Sequence, residues 1–302
     1  MASRPVAAVA LAVVSVSFSS IFIVWSASDA LTIAVYRLAM ATAILAPFAL
    51  ARRDAALWRI SRRDALLMLL VGAVLAAHFG LWVTSLKVQG VTVASSTILV
   101  TSHPLLVAVL SHFVLRERIS SRAALGIVLG FSGVVAIALA DLGVSGETLL
   151  GDVFAFLGGV GAGFYFLLGR RIRQRVALVD YAFVVYGSAT AFLFVAAAIA
   201  GDLAPRGDLP RELLLFLGMA FIPQIGGHTL YNWSLRWVPA PVVSLSLVGE
   251  PIGSSLLAWV LLSQVPSPAV GLGGALALAG IYLAASAEGG GVRTVEATRD
   301  IE

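Results

Sequence analysis

The sequence predicts an all-α membrane protein in which ten transmembrane helices form two inverted five-helix repeats around a central cavity. Three observations support this fold class. Only 36 of the 302 residues are Lys, Arg, Asp or Glu, while 60% are hydrophobic, which excludes the evenly charged surface of an ordinary soluble domain. The charges cluster between uncharged stretches of roughly 20 residues, the length that crosses a bilayer. The two halves of the chain also share a weak similarity at a constant offset.

Runs that are long and apolar enough to cross about 30 Å of hydrocarbon predict ten helices. Their expected ranges are 5–26, 30–51, 65–86, 91–114, 122–140, 152–169, 181–201, 212–235, 239–262 and 267–287. The first run follows Arg4 as a secretory signal would, but its apolar core from Val6 to Trp25 is too long for a signal peptide. The connections are short, so function must reside within the helical bundle.

The basic residues predict the orientation of these helices. With the N-terminus in the cytoplasm, 16 of the 20 Lys and Arg residues fall on the cytoplasmic side. Lys87, Arg206 and Arg211 fall on the outer side, and Arg37 lies within a span. By the positive-inside rule, both termini are therefore cytoplasmic. The excess positive charge is thereby attributed to membrane insertion and anionic lipid headgroups, so we expect no nucleic-acid partner.

The composition also limits the chemistry of the protein. The chain has no cysteine, which excludes disulfides and Cys-based metal or redox sites, and its four histidines do not have metal-ligand spacing. We therefore expect neither a metal nor a cofactor. The sequence also has no P-loop, so ATP hydrolysis within this chain is excluded as an energy source.

An internal repeat links the two halves of the chain. Residues 147 positions apart match in type or context, namely His103 with Glu250, Pro104 with Pro251, Leu115 with Leu262, Ser120 with Ser267, Gly126 with Gly273 and Gly133 with Gly280. The repeat predicts two five-helix units, 1–145 and 146–288, followed by a cytoplasmic tail at 289–302. Because five is odd, the second unit enters the membrane in the opposite direction. Inverted repeats around a midplane site are typical of secondary transporters that work by alternating access.

A set of short motifs runs through both halves in a constant order. It comprises Tyr36 to Ala39, Pro104, Arg116 to Arg118, Gly126, Gly130, Gly133, Gly151 with Asp152, Tyr165, Arg170 with Arg171, and Glu250 with Pro251. This pattern resembles the EamA-type drug/metabolite transporters over nearly the whole chain. The resemblance implies a ten-helix exporter in a bacterial inner membrane, in a family whose members export amino acids or other small metabolites. One departure is Gln264, where the family often has an acidic residue, and it speaks against a second-half copy of the loop interaction made by Glu117.

Arg37 and Glu250 are the formally charged residues that lie well inside predicted spans. A charge at the bilayer centre costs on the order of 3 kcal/mol, so each should face a partner, a cavity or water. Glu250 is either a protonatable or amine-binding group or a residue that locks helices together. Arg37 either binds a substrate carboxylate or is structural, since it lies about 10 Å from the outer end of its helix and can snorkel or bond backbone carbonyls.

Other polar and aromatic side chains share helical faces that would be poor lipid surfaces. His78 and Trp82 are four residues apart and lie on one face of the third helix. The remaining candidates for a substrate-binding lining are Thr97, Thr101, Tyr165, Gln224, His228, Tyr231, Ser244 and Ser246. Aromatic rings offer cation–π contact to an ammonium group, and hydroxyls orient it. The alternative is that these residues join helices by hydrogen bonds or bond their own backbone.

Prolines and glycines complete the set of candidates. Pro104 and Pro251 lack an N–H and are candidate gating kinks in the crossing helices. The glycines of the fifth and tenth helices predict close helix packing, either within a monomer or across a homodimer.

The expected function is export of amino acids or similar small metabolites, with lipophilic amines or drugs as alternative substrates. An intramembrane serine hydrolase is a further alternative, because residues 130–133 spell Gly-Phe-Ser-Gly and His228 would be the base. The glycine spacing already explains that motif by packing, and no oxyanion site is visible, so we expect no enzyme.

Overall fold

A computed structural model describes residues 3–51, 56–105, 109, 120–142, 144–234, 246–247 and 249–299. Within these ranges the chain forms helices and no strand. In chain order, the helices are α1 (Ser3–Ser17), α2 (Ser19–Trp25), α3 (Ala30–Leu50), a 3₁₀ turn (Ala56–Arg59), α4 (Arg62–Lys87), α5 (Val93–Val100), α6 (Ser121–Leu142), α7 (Gly146–Arg173), α8 (Leu178–Ala200), α9 (Leu209–Met219), a π-helical segment (Ala220–Thr229), α10 (Leu230–Ser234), α11 (Gly249–Leu262) and α12 (Pro268–Arg299).

Seven helical stretches of the described chain are long and apolar enough to cross a membrane, which makes this a multi-pass membrane protein. They are Ala7–Trp25, Ala30–Leu50, Arg62–Lys87, Ser121–Ala140, Gly146–Gly169, Leu178–Ala200 and Leu209–Ser234, and each coincides with a predicted span. The stretches Gly249–Leu262 and Pro268–Ala284 are apolar but shorter. The fourth and ninth predicted spans fall partly outside the described residues, so the count of ten stays a prediction. The expected tail at 289–302 continues α12 as helix to Arg299.

Short polar side chains set where several helices begin. Ser61, Thr92, Ser145 and Asp208 each accept a hydrogen bond from the backbone N–H three residues further on, at 3.1 Å in every case. Such N-caps satisfy donors that have no partner within the helix. A glycine marks the C-terminal end of α8. Gly201 adopts the left-handed conformation with φ 81°, which glycine adopts without strain. The residues near each helix end therefore determine where these helices begin or end.

The α6–α12 pair supports the internal repeat. A Cβ placed on Gly126 would contact the backbone oxygen of Gly280, and one placed on Gly273 would contact that of Gly133. The 147-residue offset relates Gly126 to Gly273 and Gly133 to Gly280, so it converts the first contact into the second. A pseudo-two-fold axis between the halves would relate them in this way. As the residue numbers rise along α6 they fall along α12, so the two helices are antiparallel. The close packing predicted for the fifth and tenth helices is confirmed within one chain.

The loop after α11 reaches across to the other half of the chain. The Gln264 side-chain oxygen accepts the backbone N–H of Val93, the first residue of α5, at 3.1 Å. The sequence put a second-half copy of the Glu117 loop interaction in doubt at Gln264. The neutral amide oxygen of Gln264 nevertheless accepts the free N–H of a helix start, as a carboxylate would. Glu117, its first-half counterpart, lies outside the described residues.

The centre of the bundle is formed by α4, which packs against α7 and α8, while α1 packs against the π-helical segment and α11. The first predicted helix is interrupted at Phe18, where α1 gives way to α2. The eighth predicted helix contains ten residues of π-helix around Pro223. A π-helix is a rare conformation that often marks functional sites, and here it faces the same central space as α4.

Candidate functional site

A small cavity lies at the centre of the bundle, between the two halves of the chain. Its volume is about 30 Å³, which holds about one or two water molecules. The lining comes from both halves and consists of Val16, His78, Trp82, Val100, Thr101, His103, Ala162, Phe166, His228, Tyr231, Leu247 and Glu250. The cavity is therefore mostly apolar and aromatic, with a few polar groups that converge on it.

The α4 side of the cavity is a stacked pair of rings. The His78 and Trp82 rings are nearly parallel, with centroids 6.0 Å apart. The Nδ1 atom of His78 lies 2.8 Å from the carbonyl oxygen of Gly158 on α7. A Cβ on Gly158 would lie 3.2 Å from that of Trp82, and one on Gly161 would lie 3.2 Å from the Cα of His78. The two glycines thus let α7 approach α4 closely at the level of both rings.

The π-helical segment supplies the opposite side. The His228 ring lies 6.4 Å from that of His78 and 5.4 Å from that of Phe79, measured between centroids. Its Nδ1 atom is buried and has no hydrogen-bond partner among the described residues. The same holds for Nε1 of Trp82. Two residues of the cavity lining therefore carry a buried polar nitrogen that has no partner within the described chain.

Tyr165 lies behind this wall. Its hydroxyl accepts a hydrogen bond from Asn232 Nδ2 at 2.7 Å, and its ring packs edge-on against that of His228 at 6.4 Å. The next residue, Phe166, lines the cavity instead and stacks on His103, with ring centroids 5.6 Å apart. Tyr165 therefore supports His228 from outside the lining.

Arg37 is fully buried beside the cavity and does not snorkel to the outer end of α3. Its Nε donates to the side-chain oxygen of Gln224 at 2.8 Å, and its Nη1 donates to Ser19 Oγ at 2.6 Å. The guanidinium carbon lies 4.2 Å from the centroid of the Phe79 ring, a cation–π distance. Nη2 has no partner among the described residues. Arg37 is thus held by side chains of α2, α4 and the π-helical segment.

Glu250 is the one carboxylate in the lining. It occupies the first turn of α11 and is half-buried, and the next residue, Pro251, is buried. A carboxylate is favoured at a helix N-terminus, where backbone N–H groups and the helix dipole stabilise negative charge. Pro251 is also tolerated there, since the first-turn N–H would have no helical partner. Together they place a carboxyl group against the central cavity.

The remaining predicted residues divide into two groups. Thr101 lines the cavity but donates to the Thr97 carbonyl at 2.7 Å, and Thr97 donates to the Val93 carbonyl at 2.6 Å, so both hydroxyls bond their own helix. Six predicted residues line the cavity, namely His78, Trp82, Thr101, His228, Tyr231 and Glu250, and four lie outside the lining, namely Thr97, Tyr165, Gln224 and Ser246. Pro104 follows the lining residue His103, and Ser244 lies outside the described residues.

Five further residues of the lining are missing from the predicted set: Val16, Val100, Ala162, Phe166 and Leu247. They are apolar, like most of the chain, so their chemistry does not distinguish them from core or lipid-facing residues. His103 is also in the lining, and its place beside Pro104 was the signal that could have found it.

A polar clamp closes the predicted outer end of the bundle. We use this name for Ser26, Ala27, Ser28, Lys87 and Glu212. The Glu212 carboxylate, 1% exposed, accepts hydrogen bonds from the Ser28 hydroxyl at 2.7 Å, from the Ala27 N–H at 2.8 Å and from the Ser26 hydroxyl. The Lys87 ammonium donates to the Ser26 carbonyl at 2.5 Å. The clamp therefore ties the α2–α3 connection to the end of α4 and the start of α9.

A second set of bonds extends the polar clamp to the α8–α9 loop. The Arg206 guanidinium pairs with the Asp29 carboxylate at 2.7 Å, and Thr32 donates to the carbonyl of Asp202 at 2.5 Å. Arg206 also donates its backbone N–H to Ser28 at 3.0 Å. The loop that follows α8 is thus bonded to the same connection.

Comparison with known proteins finds similarity to one transporter family and to individual transporters. The model of the EamA-like transporter family matches residues 4–139 and 149–286. An uncharacterized transporter of Archaeoglobus fulgidus is 23% identical over 203 residues, covering 66% of this chain and 68% of that protein. The uncharacterized transporter YetK of Bacillus subtilis is 26% identical over 185 residues, covering 59% of this chain and 55% of that protein.

A solved crystal structure matches the fold with a TM-score of 0.65 and 20% identity, covering 93% of this chain and 97% of the other. At that identity the match shows the fold alone. Two matches of the family model span nearly all of the chain, one in each half. The chain therefore belongs to the EamA-like transporter family.

Proposed function

We propose that this protein is a secondary transporter that exports amino acids or similar small metabolites across a bacterial inner membrane by alternating access. The observation that carries the proposal is the central cavity, which is lined by both halves of the chain and includes both a carboxyl group and residues with unpartnered buried nitrogens. Ligand sites of this kind are mostly apolar with a few convergent polar groups. In transporters built from inverted repeats, the site lies at the interface of the repeats.

The lining offers partners for both ends of an amino acid. Glu250 would pair with the substrate ammonium, and the faces of Trp82 and Tyr231 would add cation–π attraction. Trp82 Nε1 and His228 Nδ1, which lack partners within the described chain, would meet the carboxylate, with the buried charge of Arg37 behind them. This assignment gives Arg37 an electrostatic role and leaves direct contact to the other groups.

The small volume of the cavity supports alternating access. A void of about 30 Å³ is small for an amino acid, so separation of the two halves would enlarge the site for a substrate. Opening toward the predicted outer side would break the polar clamp around Glu212, and Pro104 and Pro251 would let the crossing helices change curvature. Energy would come either from proton entry at Glu250 or from the gradient of the accumulated metabolite itself.

Two other candidates have less support. Lipophilic amines or drugs remain the runner-up substrates, because most of the cavity lining is apolar. A serine hydrolase would need Ser132 beside a base, but Ser132 is exposed on α6 and donates to the Val128 carbonyl at 2.8 Å, while His228 lines the central cavity.

We also propose a monomer, since the glycine faces of α6 and α12 are already packed against each other.

Uptake of labelled amino acids into proteoliposomes, with and without an imposed pH gradient, tests the proposal. The wild type should give saturable flux, and His78→Ala and Trp82→Ala should weaken substrate affinity. Trp259→Ala is the matched control, because Trp259 is 58% exposed on α11 and outside the lining. Unchanged kinetics in both cavity variants would remove the α4 face from the site. Absence of flux for every amino acid, with competition by hydrophobic amines, would favour the runner-up.

A further inference from the structure

A groove runs along the side of α4 that faces away from the central cavity. It lies between α4, α7 and α8 and has a volume of about 420 Å³. Its floor is made of small residues, among them Ala73, Ala77 and Gly80, and its walls include Phe154 and Phe192. All of its lining side chains are apolar except that of Thr84, whose hydroxyl is already bonded to the Gly80 carbonyl at 2.6 Å. The groove therefore offers contact to hydrocarbon and no free polar group.

The groove has the depth of one membrane leaflet. It follows α4 from Ala73 to Thr84, and eleven residues of α-helix rise about 16 Å. Half of a hydrocarbon core of about 30 Å is about 15 Å. Phe154 lies near the start of α7, and Phe192 lies in the second half of α8. The helices thus contribute residues from the same half of the bundle, the half that ends at Lys87 and the polar clamp.

A cation marks the end of the groove. Lys87 lies one helical turn beyond Thr84 on α4, at the level where lipid headgroups meet the predicted outer side. Its side chain is half-buried, and its ammonium donates to the Ser26 carbonyl. The charges of Glu212 and Asp29 act on this ammonium, and a half-buried lysine at the end of a membrane helix also attracts lipid phosphate. Apolar depth and terminal charge together match a phospholipid.

We propose that this groove binds one acyl chain of a phospholipid from the predicted outer leaflet, with the lipid phosphate beside the Lys87 ammonium. The bound chain braces α4 from behind, because the opposite face of the same helix carries His78 and Trp82. Ala77 and Ala196 are both exposed groove residues, so larger side chains at these positions fill the groove without disturbing the core. The site does not depend on the substrate proposed for the central cavity.

Photolabelling tests the proposal. The protein is reconstituted in phosphatidylethanolamine and phosphatidylglycerol vesicles that contain a trace of phosphatidylglycerol with a photoreactive diazirine in one acyl chain. After irradiation, labelled peptides are mapped by mass spectrometry. The wild type should be labelled preferentially at the groove residues of α4, α7 and α8, and the double variant Ala77→Phe/Ala196→Phe should lose this labelling. Ala198→Phe, at an exposed alanine of α8 outside the groove, should keep it.

Three results would overturn the proposal. The first is equal labelling of the groove and of other exposed apolar positions, and the second is unchanged groove labelling in the double variant. The third is displacement of the label by a lipophilic amine, which would assign the groove to such amines. A diacylglycerol with the same photoreactive chain should label the groove less than the phospholipid does. Equal labelling by both would refute the contact between the phosphate and Lys87.

Discussion

The α6–α12 crossing gives a quantitative prediction for Gly126→Ala. A Cβ at Gly126 would lie 2.5 Å from the Ala284 nitrogen and 2.8 Å from the Gly280 oxygen. Both are backbone atoms of α12, so no side chain can move aside and the helices must separate. Overpacking of this kind costs about 1–3 kcal/mol, and the higher helix propensity of alanine returns up to about 1 kcal/mol. We expect a net loss of about 1–2 kcal/mol in the free energy of unfolding.

Gly271→Ala is the matched control on α12. Nothing lies within 4 Å of a Cβ at Gly271, so this variant should keep the propensity gain of up to about 1 kcal/mol and lose nothing. The two glycine-to-alanine variants should therefore shift stability in opposite directions. Equilibrium unfolding by SDS in mixed micelles, followed by tryptophan fluorescence, measures both. Equal stability of Gly126→Ala and Gly271→Ala would refute the backbone contact between α6 and α12.

Three further predictions concern polar groups. Glu212→Gln should destabilise the protein by about 1.5–3 kcal/mol, because the amide keeps one acceptor oxygen and loses the other, and one hydrogen bond to a charged group contributes that amount. Glu147→Gln, at an exposed first-turn position, should change little in the same unfolding assay. Gln264→Leu should cost about 1 kcal/mol by leaving the Val93 N–H without its acceptor, and Gln264→Glu should retain that stability in thermal melts. Arg37→Lys should lower the melting temperature and the transport rate, because one ammonium cannot reproduce the separate guanidinium bonds to Gln224 and Ser19; a wild-type melting curve would contradict this.

The sequence was most informative about elements that a single property determines. Span positions follow from hydropathy, and the seven long apolar helices of the described chain agree with their predicted ranges. The crossing of α6 and α12 follows from glycine spacing combined with the 147-residue offset. The break at Phe18 and the π-helical segment were not predicted, because each depends on tertiary contacts. Gly226 and Gly227, for example, pack against Ser15 and Val16 of α1, and no periodicity of the segment itself records that contact.

In the candidate site as well, local spacing located some residues, while the placement of others depends on contacts with another helix. Helical spacing paired His78 with Trp82, and His228 and Tyr231 were further candidates; the structure brings all four residues to one cavity. Local spacing does not choose between the candidate Tyr165 and its neighbour Phe166, which lines the cavity, because residues three or four positions apart both share a helical face. The choice depends on Asn232, which bonds the Tyr165 hydroxyl behind the wall. The spacing of residues within one helix does not reveal a hydrogen-bond partner on another helix.

Arg37 shows how a buried charge shapes the site without lining it. Its desolvation is offset by two hydrogen bonds and by the Phe79 ring, and one of those bonds goes to Gln224 within the π-helical segment. Four residues later the same segment carries His228 into the cavity. Because Thr229 also donates to the Gln224 carbonyl at 3.2 Å, the position of His228 depends on the register of the segment that Arg37 holds. In the proposed alternating-access cycle, movement of the two halves would therefore either carry Arg37 with the segment or break its bond to Gln224.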